Sequence, residues 1–191
     1  MALSLAMKNP LPRLSRSKAG LLVIDIQEKL LPQIFEKERL INNSILLIKG
    51  VSILGLPIWV TEQYRKGLGL TSPEVAAAIQ NFAPVEKVTF SSCGAEGIVD
   101  GFKEKRVSQI LLCGMEAHVC VLQTCLDLLE KGFQVFVVAD AVSSRNTENL
   151  RRGLDRMHDS GATIVTVEMV FFELLERAAT DEFKQILALV R

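Results

Sequence analysis

Residues 110–129 read ILLCGMEAHVCVLQTCLDLL, and the fold turns on how this stretch changes period. From Ile110 to Cys113 it is apolar without interruption, the pattern of a strand buried on both faces. Across 117–131 the pattern is that of an amphipathic helix. A buried strand feeding an amphipathic helix is a piece of a βαβ unit. The join, GMEAHVC (114–120), sets Glu116, His118 and Cys120 almost side by side, which packing alone does not require.

The same alternation extends in both directions. Strands are predicted at GLLVIDI (20–26), LPIWVTE (56–62), VEKVTF (85–90), QILLCG (109–114), QVFVVADA (134–141) and ATIVTVE (162–168). Helices are predicted at 37–55, at 72–82 opened by Ser72-Pro73, at 95–106, 117–131 and 146–161, and through 171–190. Strands that are apolar on both faces and alternate with helices give a parallel sheet covered on both sides. The expected architecture is α/β, a three-layer α/β/α doubly wound domain with a six-stranded parallel sheet. No linker, repeat or low-complexity segment interrupts it, so residues 18–191 read as one domain behind an N-terminal arm, 1–17.

The totals agree. The chain has 191 residues, 49% hydrophobic and 23% charged, with a formal net charge of +0. That length holds a substantial core. The charge balance speaks against a broad nucleic-acid surface, and no apolar run reaches membrane-spanning length. The basic segment 1–20 lacks the apolar stretch of a signal peptide. The cysteines, Cys93, Cys113, Cys120 and Cys125, form no CxxC pair and read as reduced thiols of a cytoplasmic protein.

In open parallel sheets ligands bind beyond the carboxyl ends of the strands. The candidates there are Asp25 and Gln27, residues 61–64, residues 87–90, residues 116–120 and residues 140–145. A nucleotide site is set aside, because DIQEKLLP (25–32) has no glycine where a pyrophosphate approaches and no GxxxxGK[ST] occurs. Cys120 falls in the first turn of the predicted helix, where exposed N–H groups and the helix dipole lower a thiol pKa; the alternative is a buried small hydrophobe, the reading given to Cys113 and Cys125. Asp25 interrupts an apolar strand and needs a cation or donor. Lys87 is one candidate partner, and a solvated lysine on an edge strand is the other reading of it. An acid, a lysine and a helix-start cysteine together would make a base, an electrostatic partner and a nucleophile.

The pieces VIDIQ (23–27), EKVTFSS (86–92), GMEAHVCV (114–121) and VVADAVSSR (137–145), in this order and spacing, resemble the isochorismatase-like cysteine hydrolases, a family that includes nicotinamidases, N-carbamoylsarcosine amidase and isochorismatases. The likeness covers roughly residues 18–170. TEQYRKGLG (61–69) and GMEAHVCV are most similar to the small isochorismatase-domain proteins whose substrates are generally unassigned. The resemblance implies a strand order of 3-2-1-4-5-6 and a catalytic triad of Asp25, Lys87 and Cys120. It implies acyl transfer from an amide or ureide C–N bond through a thioester. It implies a non-proline cis peptide between Met115 and Glu116, with the N–H groups of Glu116 and Cys120 as oxyanion hole and no need for the Glu116 side chain to touch substrate.

Gln27, Glu62, Gln63, Tyr64, Phe90 and His118 sit at strand ends and are the candidate pocket residues. Arg145 is assigned to pinning its loop or to a subunit contact. Relatives that cleave a vinyl ether typically lack the cysteine, so Cys120 points to C–N hydrolysis. Nicotinamidases carry an Asp-x-His…His metal site after the second strand, where this chain has TEQYRKG and, in all, two histidines; neither metal nor cofactor is expected. MVFFELLERAA (169–179) is more apolar than a peripheral helix usually is, and with the family's habit this predicts a homo-oligomer, dimer or tetramer. The expected partner is a small molecule, with neither nucleic acid nor membrane. Two rival functions remain open on the same fold, a catalytically silent binding module and a thiol-redox protein using Cys120.

Overall fold

Strand β1 (Ala19–Ile24, AGLLVI) carries no charge and is buried along its whole length, which only the centre of a sheet can satisfy. In the computed structural model, which describes residues 13–191, β1 pairs in parallel with β2 (Ile58–Gln63) on one side and β4 (Gln109–Met115) on the other. The sheet is completed by β3 (Val85–Lys87), β5 (Gln134–Ser143) and β6 (Thr163–Val165), in the order β3-β2-β1-β4-β5-β6. This is the expected all-parallel, doubly wound topology.

Alternate residues of β1 enter different cores. Leu21 and Val23 pack on one face with α1 (Lys37–Ile53), α7 (Val167–Leu175) and α8 (Asp181–Val190). Leu22 and Ile24 pack on the other with α4 (Ile98–Glu104), α5 (Leu122–Glu130) and α6 (Thr147–Asp159). Two short helices, α2 (Arg65–Leu68) and α3 (Pro73–Ala77), lie in the β2–β3 crossover. Ser72 caps α3, its hydroxyl accepting the Val75 N–H.

Several boundaries differ from the periodic reading. The third strand ends at Lys87, because Lys87 Nζ bonds the carbonyls of Thr89 and Phe90 and turns the chain back on itself. The sixth ends at Val165, where Thr166 already caps α7 through the Met169 N–H. The helical run 171–190 is two helices, broken where Glu176 takes a left-handed φ of 60°. The run from Ala117 opens with a π-helical turn, Ala117–Val121, before α5 begins. Most of the expected arm, 1–17, lies outside the described residues. Its last part is tied down: Leu14 is buried and donates its N–H to Glu173, and Arg16 holds Glu182 and the Leu54 carbonyl. Among the described residues no helix is long and apolar enough to cross a membrane.

Candidate active site

At the carboxyl end of the sheet β1 and β4 come very close. A Cβ on Gly114, which pairs with Ile24, would stand 2.0 Å from the Ile24 carbonyl oxygen, and Gly114 has a φ of +118°. Only glycine satisfies both conditions. Asp25 follows β1 directly with a left-handed φ of 53°, a conformation that aspartate tolerates better than most residues. The end of β1 and the 114–120 turn therefore lie side by side.

Asp25 is fully buried. Its Oδ2 accepts from Lys87 Nζ at 2.6 Å and its Oδ1 from the Thr61 hydroxyl at 2.8 Å. Lys87, also buried, has further acceptors in Gln63 Oε1 at 2.7 Å and the carbonyls of Phe90 and Thr89. Burial pushes the Asp25 carboxyl above the ordinary aspartate range, and the Lys87 ammonium and the Thr61 and Cys120 hydrogen bonds oppose that rise. The edge-strand reading of Lys87 as a solvated side chain is thereby corrected.

The chain leaves β4 through a cis peptide between Met115 and Glu116. The π-helical turn follows, held by Val119 and Val121 N–H groups that both donate to the Glu116 carbonyl. Helix α6 presses close to this turn, with the Gly153 Cα facing the Ala117 carbonyl so tightly that a Cβ there would sit 3.0 Å from its oxygen. Cys120 emerges with 7% of its surface exposed, in the same pocket as Asp25. The expectation of a thiol pKa lowered at a helix start is corrected. Burial, and next the Asp25 carboxylate, push Cys120 up to about 12, against the opposing Lys87 charge and a hydrogen bond from the Glu116 backbone. Cys120 lies in a π turn ahead of α5, so α5 presents no free N-terminus to it. Cys113 and Cys125 are raised to about 12 by burial as well.

Asp25 and Cys120 line a pocket of about 210 Å³, below the ~300–1,000 Å³ of common ligand sites. Leu30, Leu68, Val119 and the half-exposed Phe90 form its apolar wall, and Gln63, Glu116 and Arg145 its polar one. Of the candidate pocket residues, Gln63 and Phe90 are here and four are not. Gln27 is turned to the chain: its Oε1 accepts the Gln63 N–H, and its Nε2 donates to the Gln63 and Gly69 carbonyls. Glu62 is spent on the Thr71 N–H and hydroxyl and on Arg65 Nε. Tyr64 lies against Gly67 with half its surface exposed. His118 sits between Ser144 and Asn149, its Nε2 accepting from the Asn149 amide.

Arg145 does pin the 114–120 turn, its backbone N–H and Nε both donating to Glu116 Oε2 at 3.0 and 3.1 Å. It also borders the pocket, in keeping with its place in the strand-end range 140–145. Leu30 and Leu68 gave no signal, since apolar loop residues look alike whether they line a site or fill a gap. Among the described residues no group of three or more His, Cys, Asp or Glu side chains is placed to hold a metal ion.

The isochorismatase domain profile matches residues 19–169, which is the sheet and every residue of this site. The chain belongs to the isochorismatase family. Isochorismatase domain-containing protein 2 of Danio rerio is 39% identical over 175 residues, covering 91% of this chain and 87% of its own. Among solved structures, the MAR1 ribonuclease of Caenorhabditis elegans superposes with a TM-score of 0.86 at 37% identity, covering 93% of this chain and 92% of its own. The YcaC gene product of Escherichia coli, described as an octameric hydrolase of unknown specificity, superposes with a TM-score of 0.87 at 26% identity, covering 95% and 92%. This isochorismatase-family chain thus has a hydrolase fold.

Proposed function

We propose that this isochorismatase-family protein is a cysteine hydrolase that cleaves a small amide- or ureide-type C–N bond. The observation that carries the reading is that Cys120 and Asp25 line one small pocket, with Asp25 held by Lys87 at 2.6 Å. A neutral thiol next to a carboxylate of raised pKa is a nucleophile with its base in place.

In this mechanism Sγ of Cys120 bonds to the substrate carbonyl carbon as its proton passes to Asp25. The N–H groups of Glu116 and Cys120 stabilise the oxyanion. The tetrahedral adduct collapses to a thioester, and the C–N bond breaks as the leaving nitrogen takes the proton from Asp25. Water then attacks the thioester, giving up a proton to Asp25, which returns it to sulfur as the acid departs. Lys87 keeps Asp25 ionised between the steps and has no contact with the substrate.

Pocket size supports a small molecule over a nucleic acid, and so does the net charge of +0. Ribonuclease is the name of the Caenorhabditis elegans structure, so RNA belongs in the test as a competing substrate. Exposed Met169 and Phe172 on α7 support a homo-oligomer, and the octameric Escherichia coli neighbour is in keeping with one. The experiment is an ammonia-release screen over small amides and ureides, with Cys120→Ala as blank and an RNA-degradation assay beside it. Release by the wild type alone supports the proposal. No release from any amide, or RNA cleavage that survives Cys120→Ala, overturns it.

A further inference from the structure

Glu116 contributes its backbone to the proposed mechanism, and its side chain has no part there. That side chain is only 7% exposed. Its Oε2 takes both hydrogen bonds from Arg145, and its Oε1 has no hydrogen-bond partner among the described residues. Among the described residues Ser44 Oγ is the one fully buried side-chain polar atom without a partner, so Glu116 Oε1 keeps some contact with water. A ligand that displaces this water must supply a donor or leave the carboxylate oxygen unpaired at a cost, and the Arg145 contacts alone would have been served by an amide oxygen. Glu116 and Arg145 both line the pocket, so a donor that enters it can complete the set.

The nature of the donor follows from charge. Two negative groups, Asp25 and Glu116, and two positive ones, Lys87 and Arg145, stand in or against the pocket and pair off as two salt bridges. The balance leaves no net charge for a bound cation or anion to neutralise. Facing them, Leu30, Leu68, Phe90 and Val119 offer only apolar surface.

The geometry points to Glu116 Oε1 as the specificity-determining acceptor: it takes an N–H from a neutral carboxamide or ureido group of the substrate, remote from the bond that Cys120 attacks. Arg145 is the positioning residue that fixes the carboxylate by its other oxygen. The assignment of the scissile end rests on the hydrolase reading, whereas recognition by Glu116 is a binding property that can be read without turnover.

The test uses two probes of nearly equal shape, succinamide and levulinamide, in which a methyl group replaces one amide NH₂. Binding is measured calorimetrically on Cys120→Ala, which removes turnover. Succinamide is expected to bind about tenfold or more tighter, the size of one hydrogen bond to a charged group. In the Cys120→Ala, Glu116→Gln variant Arg145 retains the amide oxygen, the amide NH₂ turns to the pocket, and the preference disappears or inverts. Equal binding of the two probes by Cys120→Ala, or no binding of either, overturns the inference even if Glu116→Gln fails to fold. Ammonia release from succinamide by the wild type is scored separately. Its absence beside an intact binding preference counts against the hydrolase reading and leaves Glu116 recognition standing.

Discussion

Thr124 Oγ1 donates to the carbonyl oxygen of Cys120 at 2.6 Å while accepting the Ser92 N–H at 2.9 Å. One hydroxyl thus braces the cysteine turn against the loop after β3, and all three residues are buried. Thr124→Val keeps the shape and strands a buried donor and acceptor, at a cost of about 1–3 kcal/mol. Denaturant unfolding should show a lower midpoint at unchanged slope, and kcat should fall as the turn loosens. An unchanged midpoint would mean that the brace is idle.

Lys87→Met should be more damaging than loss of a surface charge. It leaves the Asp25 carboxylate buried without its cation, a change that costs about 3–5 kcal/mol in comparable pairs. Adding Asp25→Asn should recover part of that loss, because the stranded charge is gone. A double-mutant cycle in which the two losses simply add would show that the pair is not coupled.

The proposed mechanism needs Asp25 ionised to act as the base, so activity should disappear as pH falls through its pKa. Burial raises that pKa above 3.8, the ordinary value for aspartate. The acid limb of kcat/KM should therefore sit above 3.8, and Thr61→Val, which removes a hydrogen bond to the ionised form, should move it further up. A limb at or below 3.8 would remove Asp25 as the titrating base.

Cys120 should carry no thiolate at neutral pH, since its pKa is pushed up to about 12. Ultraviolet thiolate absorbance of the wild type and of Cys120→Ala should coincide at neutral pH. Alkylation of Cys120 by a small amide electrophile should then depend on the Asp25 base and be slowed at least tenfold by Asp25→Asn. A resting thiolate signal assigned to Cys120 would contradict the neutral-thiol mechanism.

What the sequence revealed follows the physics of each position. Asp25 was legible because a carboxylate ending an apolar strand is costly without a partner, and the sheet brings it Lys87. The strand order and the Asp25, Lys87, Cys120 set were legible mainly through the family resemblance, since spacing alone left Lys87 undecided. Gln27 and Glu62 misled because side chains alternate in direction at a strand end, and a polar group there serves a backbone as well as it serves a ligand. The π turn at 117–121 was hidden because its apolar spacing matches an α-helix over so few residues. Arg145 and Glu116 were seen singly; that they meet at the pocket is a long-range fact, 29 residues apart in the chain.

Strand β3 is three residues long, at the rim of the sheet. So short a ladder does little by itself to fix which residue stands opposite which, and a slip by one would turn Lys87 to the other face. Lys87 reaching across β2 to Asp25 acts as a keyed joint for that edge, because no other alignment seats its ammonium among these oxygens. The geometry of the candidate site and correct strand alignment are in this sense one event. A chain that docks β3 wrongly cannot bury the lysine, and it is left with an open edge to correct or to aggregate through. Variants at Lys87 should for that reason accumulate misaligned, associating species during refolding, beyond what their loss of stability alone explains.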